Sequence, residues 1–186
     1  MRYTLLLVGA IFVVSGFCAA TASGDEFKLV STDVGPDRIT ARTFLFDGFG
    51  CGGGNESPAL SWSGAPAGTK SYALSIYDPD APGRGWWHWY VIDLPAGITS
   101  LPRGAGEVNG SHLPEGAWQI KNDFGTRDYG GPCPPPGDRP HRYIVTVYTL
   151  NVKKLDLPAD AGVALVDAKV KASALGRANL TFKYGR

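Results

Sequence analysis

The feature that most limits how this chain can fold is a pair of apolar runs, Ser71 to Asp78 and Trp87 to Leu94, separated by a short loop rich in Pro and Gly. In the first run Tyr72, Leu74, Ile76 and Asp78 share one side of a period-two pattern. In the second, His88, Tyr90, Ile92 and Leu94 do the same. Joined by the loop, the runs predict two antiparallel neighbours, with the end of the first beside the start of the second. If Leu74 and Ile76 face the core, Asp78 is carried inward with them and comes to lie next to His88. Pro79 holds Asp78 extended. A carboxylate and an imidazole in an otherwise apolar place predict the rim of a pocket.

The rest of the chain is punctuated in the same manner. Its 25 glycines and 14 prolines suit short strands joined by tight turns. Strands are expected at Phe27–Ser31, Ile39–Phe46, Ala59–Ser63, Arg142–Val152 and Asn179–Tyr184, with a short one near Ala117–Ile120. Asp47 to Pro58 is so rich in glycine that it must be loop, and it lacks the Lys-Ser/Thr ending of a phosphate cradle. Pro95 to Asp128 is expected to make a long irregular excursion. Only Pro158 to Gly176 reads as helix, with Asp160 as its cap and Val163, Val166, Val170 and Leu175 at helical spacing. A mostly β chain with one C-terminal helix implies two packed antiparallel sheets.

The N-terminus has the three parts of a secretory signal: Met1-Arg2, an apolar run from Leu5 to Phe17, and small residues to Gly24. That run is shorter than the roughly 20 residues that span a bilayer. Residues 1–22 are therefore expected to be removed after Ala22, which leaves a single domain over residues 23–186 of an exported, periplasmic or secreted protein. A formal charge of +1 offers nothing to nucleic acid or an acidic membrane. With Cys18 in the signal, Cys51 and Cys133 remain, an even pair in an oxidising compartment, and they predict a disulfide. They lack the nearby Cys or His of a zinc site. The sequons at Asn55, Asn109 and Asn179 are read as turn chemistry.

Two motifs carry a resemblance. Asp78-Pro79-Asp80-Ala81-Pro82 followed by Trp87-His88, and downstream Tyr129-Gly130-Gly131-Pro132-Cys133-Pro134-Pro135-Pro136-Gly137 with His141-Arg142-Tyr143, resemble the phosphatidylethanolamine-binding protein (PEBP) family. The likeness is to its bacterial, Raf kinase inhibitor-like (YbhB/YbcL) branch and spans roughly residues 26 to 185. It implies a Greek-key β-sandwich with a small cavity for phosphate-like or carboxylate anions and phospholipid head groups. Asp78, His88 and His141 would be its polar liners, and Pro82, Pro135 and Tyr143 would shape it. Where mammalian members have a second histidine this chain has Trp87. Some relatives inhibit kinases or proteases, which leaves the partner protein and a homodimer open.

Read from the residues alone, a histidine at a strand start is equally compatible with a satisfied core position. The tryptophans at 86, 87 and 89 read as packing, Asp80 as a brace for its own turn, and His112 as a surface residue. The leading expectation is a binding module for a small anion, with no cofactor and no catalysis. Two histidines and one carboxylate also make the facial set of non-haem metal enzymes, so a metal-dependent enzyme is the alternative. No Gly-x-Ser-x-Gly elbow supports a serine hydrolase.

Overall fold

A computed structural model of the chain describes residues 26–36 and 40–186. The signal reading of residues 1–22 lies outside the described residues. The strands are β1 (Lys28–Val30), β2 (Leu60–Ser63), β3 (Ser71–Asp78), β4 (Trp86–Pro95), β5 (Ser100–Leu101), β6 (Trp118–Gln119), β7 (His141–Leu150) and β8 (Ala174–Tyr184), with helix α1 (Val163–Ser173) before the last. They form a three-stranded sheet in the order β1-β2-β5 and a five-stranded sheet in the order β6-β4-β3-β7-β8. Every pairing is antiparallel.

The main core lies between the sheets, where Leu29, Leu60, Trp62 and Leu101 meet Leu74, Ile76, Trp89, Val91, Tyr143, Val145 and Phe182. A second cluster lies on the other face of the larger sheet, where Val163, Val166 and Val170 of α1 cover Tyr90, Ile92, Tyr148 and Leu150. Strand β3 is buried on both faces, which explains why Ser71 to Tyr77 carries no charge. At about 1.5–3 kcal/mol for each fully buried large apolar side chain, this double burial makes β3 and its neighbours the firm part of the molecule.

Three expectations give way. Ile39–Phe46 is not a strand: its described part holds a single 3-10 turn at Arg42–Phe44, and Phe44 and Leu45 are both buried in succession rather than alternately. Its carbonyls are taken by the glycine-rich loop instead, through Gly53 N to Phe46 O (2.8 Å), Asn55 N to Leu45 O (2.8 Å) and Glu56 N to Thr43 O (3.0 Å). A Cβ on Gly53 would stand 2.1 Å from the Leu45 carbonyl oxygen, so glycine there permits the approach. The helix is shorter than expected. Gly162, not Asp160, occupies its N-cap without a side-chain bond, and Leu175 belongs to β8. The strand claims Ala174 to Ala178 because β7 offers a ladder along nearly its whole length, from His141↔Tyr184 to Leu150↔Ala174.

The third correction bears on the site. His88, Tyr90, Ile92 and Leu94 do not share a face, because the β3–β4 register shifts twice, between Tyr72 and Leu74 and between Ile76 and Tyr77. At the second shift Ile76 opposes Trp89 and Tyr77 opposes Trp87, which leaves His88 as the extra residue of a bulge. Tyr90 and Ile92 pack under the helix, Leu94 packs in the main core, and His88 turns to the inner face beside Tyr143.

Candidate functional site

Strands β3, β4 and β7 are neighbours, so the end of β3, the start of β4 and the start of β7 meet at one end of the larger sheet. Asp78, Trp86, His88, His141 and Tyr143 converge there around a cavity of about 150 Å³. The opposite wall comes from loops: Ala81 and Pro82 after β3, Phe49 from the glycine-rich loop, Phe124, and Cys133, Pro134 and Pro135. All six expected site residues line this cavity.

Their pairing differs from the simplest expectation. Asp78 has Trp86 as its cross-strand neighbour, and its side chain does not engage His88. Its Oδ2 accepts from His141 Nδ1 at 2.7 Å, while Oδ1 accepts from the amides of Asp80 (2.8 Å) and Ala81 (3.1 Å). The buried carboxylate thus orients one imidazole and folds the loop after β3. Asp80 does not brace its own turn. It takes the Arg142 guanidinium through both oxygens (Nε 2.8 Å, Nη2 2.9 Å), accepts the Arg142 amide at 2.9 Å, and pairs with Arg139 at 3.2 Å. The Arg142 hydrogen bond, foremost, holds its carboxyl far below the usual carboxylate range, and this fork ties the loop to β7.

His88 is fixed through the backbone. Its Nδ1 lies 2.6 Å from the Gly130 carbonyl, which can only accept, so Nδ1 carries the proton. The Gly130 amide in turn donates to His88 O at 2.9 Å. Burial lowers the His88 pKa to about 4, against the opposing pull of the Gly130 carbonyl and Asp78, so near neutral pH the ring is uncharged and Nε2 is an acceptor. His141, with Nδ1 on Asp78, has Nε2 3.6 Å from the half-exposed Asp138 carboxylate. Burial pushes the Tyr143 phenol well above its ordinary value, so it remains a donor. Neither its hydroxyl nor Trp86 Nε1 has a hydrogen-bond partner among the described residues. Among the described residues no group of three or more His, Cys, Asp and Glu is arranged to hold a metal ion, and Asp78 spends its oxygens on the turn and on His141.

The loop wall is held in another way. Cys51 and Cys133 form a disulfide across 82 residues, with Cα atoms 5.9 Å apart, and Cys133 itself faces the cavity. Arg186 donates to Pro134 O (2.7 Å) and Phe49 O (3.2 Å). Gly131 passes so close to the backbone of 44–46 that a Cβ would meet the Phe44 oxygen at 2.3 Å. Asn55 spans the same junction, donating to Tyr129 O (3.0 Å) and accepting from Gly131 N (2.8 Å), so the first sequon is occupied by structure. Phe49 and Phe124, which sequence reasoning did not assign, stack at 6.1 Å beside the mouth, and Phe49 is 68% exposed. An apolar side chain inside a glycine run was the available signal for Phe49. Trp86 also lines the cavity, whereas Trp87 packs on Tyr77 and Tyr90 and Trp89 is core. His112 is an exposed neighbour of Glu107, as expected of a surface residue.

A sandwich of these two sheets, reached from the two motifs that flank the cavity, leads to the phosphatidylethanolamine-binding proteins. The model of that family matches residues 36–185, and the chain belongs to it. It is 43% identical over 175 residues to YbcL of Escherichia coli (strain K12), a match that covers 94% of this chain and 96% of YbcL. To YbhB of the same organism it is 42% identical over 155 residues, covering 83% of this chain and 97% of YbhB. The crystal structure of E. coli YbcL, described as a new member of the mammalian PEBP family, superposes with a TM-score of 0.84 at 44% identity, over 87% of this chain and 99% of that one.

Proposed function

We propose that the cavity binds a small, singly protonated oxyanion, with a phosphate monoester head group as the type ligand, and that the protein acts by binding rather than by catalysis. The observation that carries this reading is that both imidazoles are fixed through Nδ1 by acceptors of the chain, which leaves His88 Nε2 to a ligand and His141 Nε2 with only the Asp138 carboxylate at 3.6 Å, beyond hydrogen-bond distance. Neutral His88 offers an acceptor that suits a P–OH. The Tyr143 hydroxyl and the Trp86 indole N–H, without partners among the described residues, offer donors that suit P–O⁻ oxygens at the same cavity, which His141 also lines. A buried donor without a partner costs about 1–3 kcal/mol, which a ligand oxygen recovers. The charge on Asp78 is already met by two amides and a ring, so it does not stand bare before an anion. The leader-like residues 1–22 and the Cys51–Cys133 bond support an exported location.

Titration of inorganic phosphate and phosphorylethanolamine, followed by histidine and ³¹P NMR between pH 5 and 8, tests the reading. A phosphate monoester loses its second proton near pH ~6, and with it the P–OH that His88 would accept. Binding is expected to weaken as pH rises through that range. Unmoved His88 and His141 resonances at millimolar phosphate, or undiminished binding by the His88→Ala/His141→Ala double variant, would remove the reason for placing the site here.

A further inference from the structure

The same bulge that turns His88 inward places Trp87 on the opposite face of the sheet, against the cluster that α1 covers. There it stands in a second cavity, of about 260 Å³, with Tyr77, Tyr148, Asp167 and Lys171. The rings are tilted walls rather than a closed stack: Tyr77 and Trp87 have centroids 4.4 Å apart at 43°, and Trp87 and Tyr90 5.3 Å apart at 52°. Tyr77 and Trp87 are only half-buried, so the walls are open to solvent.

One carboxylate faces these walls. The Asp167 side chain is only 14% exposed. Its Oδ1 has a single long contact, from the Tyr90 hydroxyl at 3.4 Å, and its Oδ2 holds the Lys171 ammonium at 2.7 Å. That ammonium is not over a ring. The cation–π pairs of the described residues lie elsewhere, at Arg103 on Phe44 and Arg127 on Trp118. Lys171 is one turn along the helix from Asp167, exposed, on a flexible stem, so its hold is weak and it can swing into water. Aromatic side chains lining one cavity with a partly desolvated carboxylate attract a cation without strongly hydrated N–H groups. We propose that this outer cavity is a binding site for a small organic ammonium, of the quaternary or methylated kind, which displaces Lys171 from Asp167 and lies against Trp87, Tyr77 and Tyr148. Both the ligand class and the face of the sheet differ from those of the anion cavity.

The experiment titrates tetramethylammonium chloride into the protein against sodium chloride at equal ionic strength, following the Trp87 indole and the Tyr77 and Tyr148 ring resonances. Saturable shifts at these residues are expected with tetramethylammonium alone. Asp167→Asn is expected to weaken binding about tenfold, as loss of the countercharge requires. Lys171→Ala is expected to tighten it about twofold, because the competing internal ammonium is gone. Linear shifts identical to those in sodium chloride, or an affinity unmoved by Asp167→Asn, would overturn the site. If Asp167→Asn does not fold, the exposed Lys171→Ala decides alone: unchanged or weaker binding counts against the proposal.

Discussion

The two walls of the cavity at the end of the larger sheet are built on different physics. The strand wall carries Asp78, His88, His141 and Tyr143 on three neighbouring strands whose ladders and doubly buried side chains hold each group from several sides. The loop wall carries Phe49, Phe124 and Cys133 to Pro135 on segments with little regular pairing, held by one covalent bond, close glycine contacts and the Arg186 clamp. Chemistry is concentrated on the rigid side and shape on the tethered side. Damage to the first should therefore cost both fold and recognition, and damage to the second should chiefly loosen the cavity.

Asp78→Ala breaks this contrast most severely. It strips the partner from His141 Nδ1 and from two loop amides in a buried place. Losing one member of such a pair costs about 3–5 kcal/mol, to be read by denaturant unfolding, and phosphate binding should vanish with it. Cys51→Ser probes the loop wall. Opening a link across 82 residues is expected to cost about 2–4 kcal/mol, while the far-UV spectrum stays β-rich and His88 and His141 keep their couplings to Gly130 and Asp78.

Acid should reveal the strand wall without mutation. His88 has a folded pKa of about 4, below its ordinary 6.5, so between these values the unfolded chain binds the extra proton. Stability is fully present above about pH 6.5 and falls as pH drops toward 4, by up to about 3 kcal/mol at ~1.4 kcal/mol per unit. His88→Gln should flatten that part of the stability–pH curve, and an unchanged slope would mean that His88 is not buried neutral. The smallest effect expected is that of Arg186→Ala, which removes hydrogen bonds to Pro134 and Phe49. About 1–2 kcal/mol of stability should be lost, with faster exchange of the amides around Phe49 and Cys133 and little change at β3 or β7.

Much of this could be read without coordinates. Alternation gave the bounds of β3 to the residue and the inward position of Asp78 at its end, because a strand in unbroken register assigns its sides locally. The count of cysteines left outside residues 1–22, the stretch expected to be a leader, was enough to pair Cys51 with Cys133. What alternation cannot carry is a break in register. The bulge opposite Ile76 and Tyr77 exists only as a relation between two strands, yet it decides that His88 faces the cavity and Trp87 the outer surface. Asp78 takes a ring from β7, 63 residues away, in preference to the one across the hairpin, and Asp80 takes Arg142 from the same strand. The glycine run of 47–58 read only as loop, because its hydrogen bonds go to the carbonyls of 42–46 in an irregular pattern that has no period. Local periodicity is a property of one segment and so is written in the sequence. Partner choice between segments depends on which ladders form and how closely the backbones approach, and that was decided only when β3, β4, β7 and the loop wall came together.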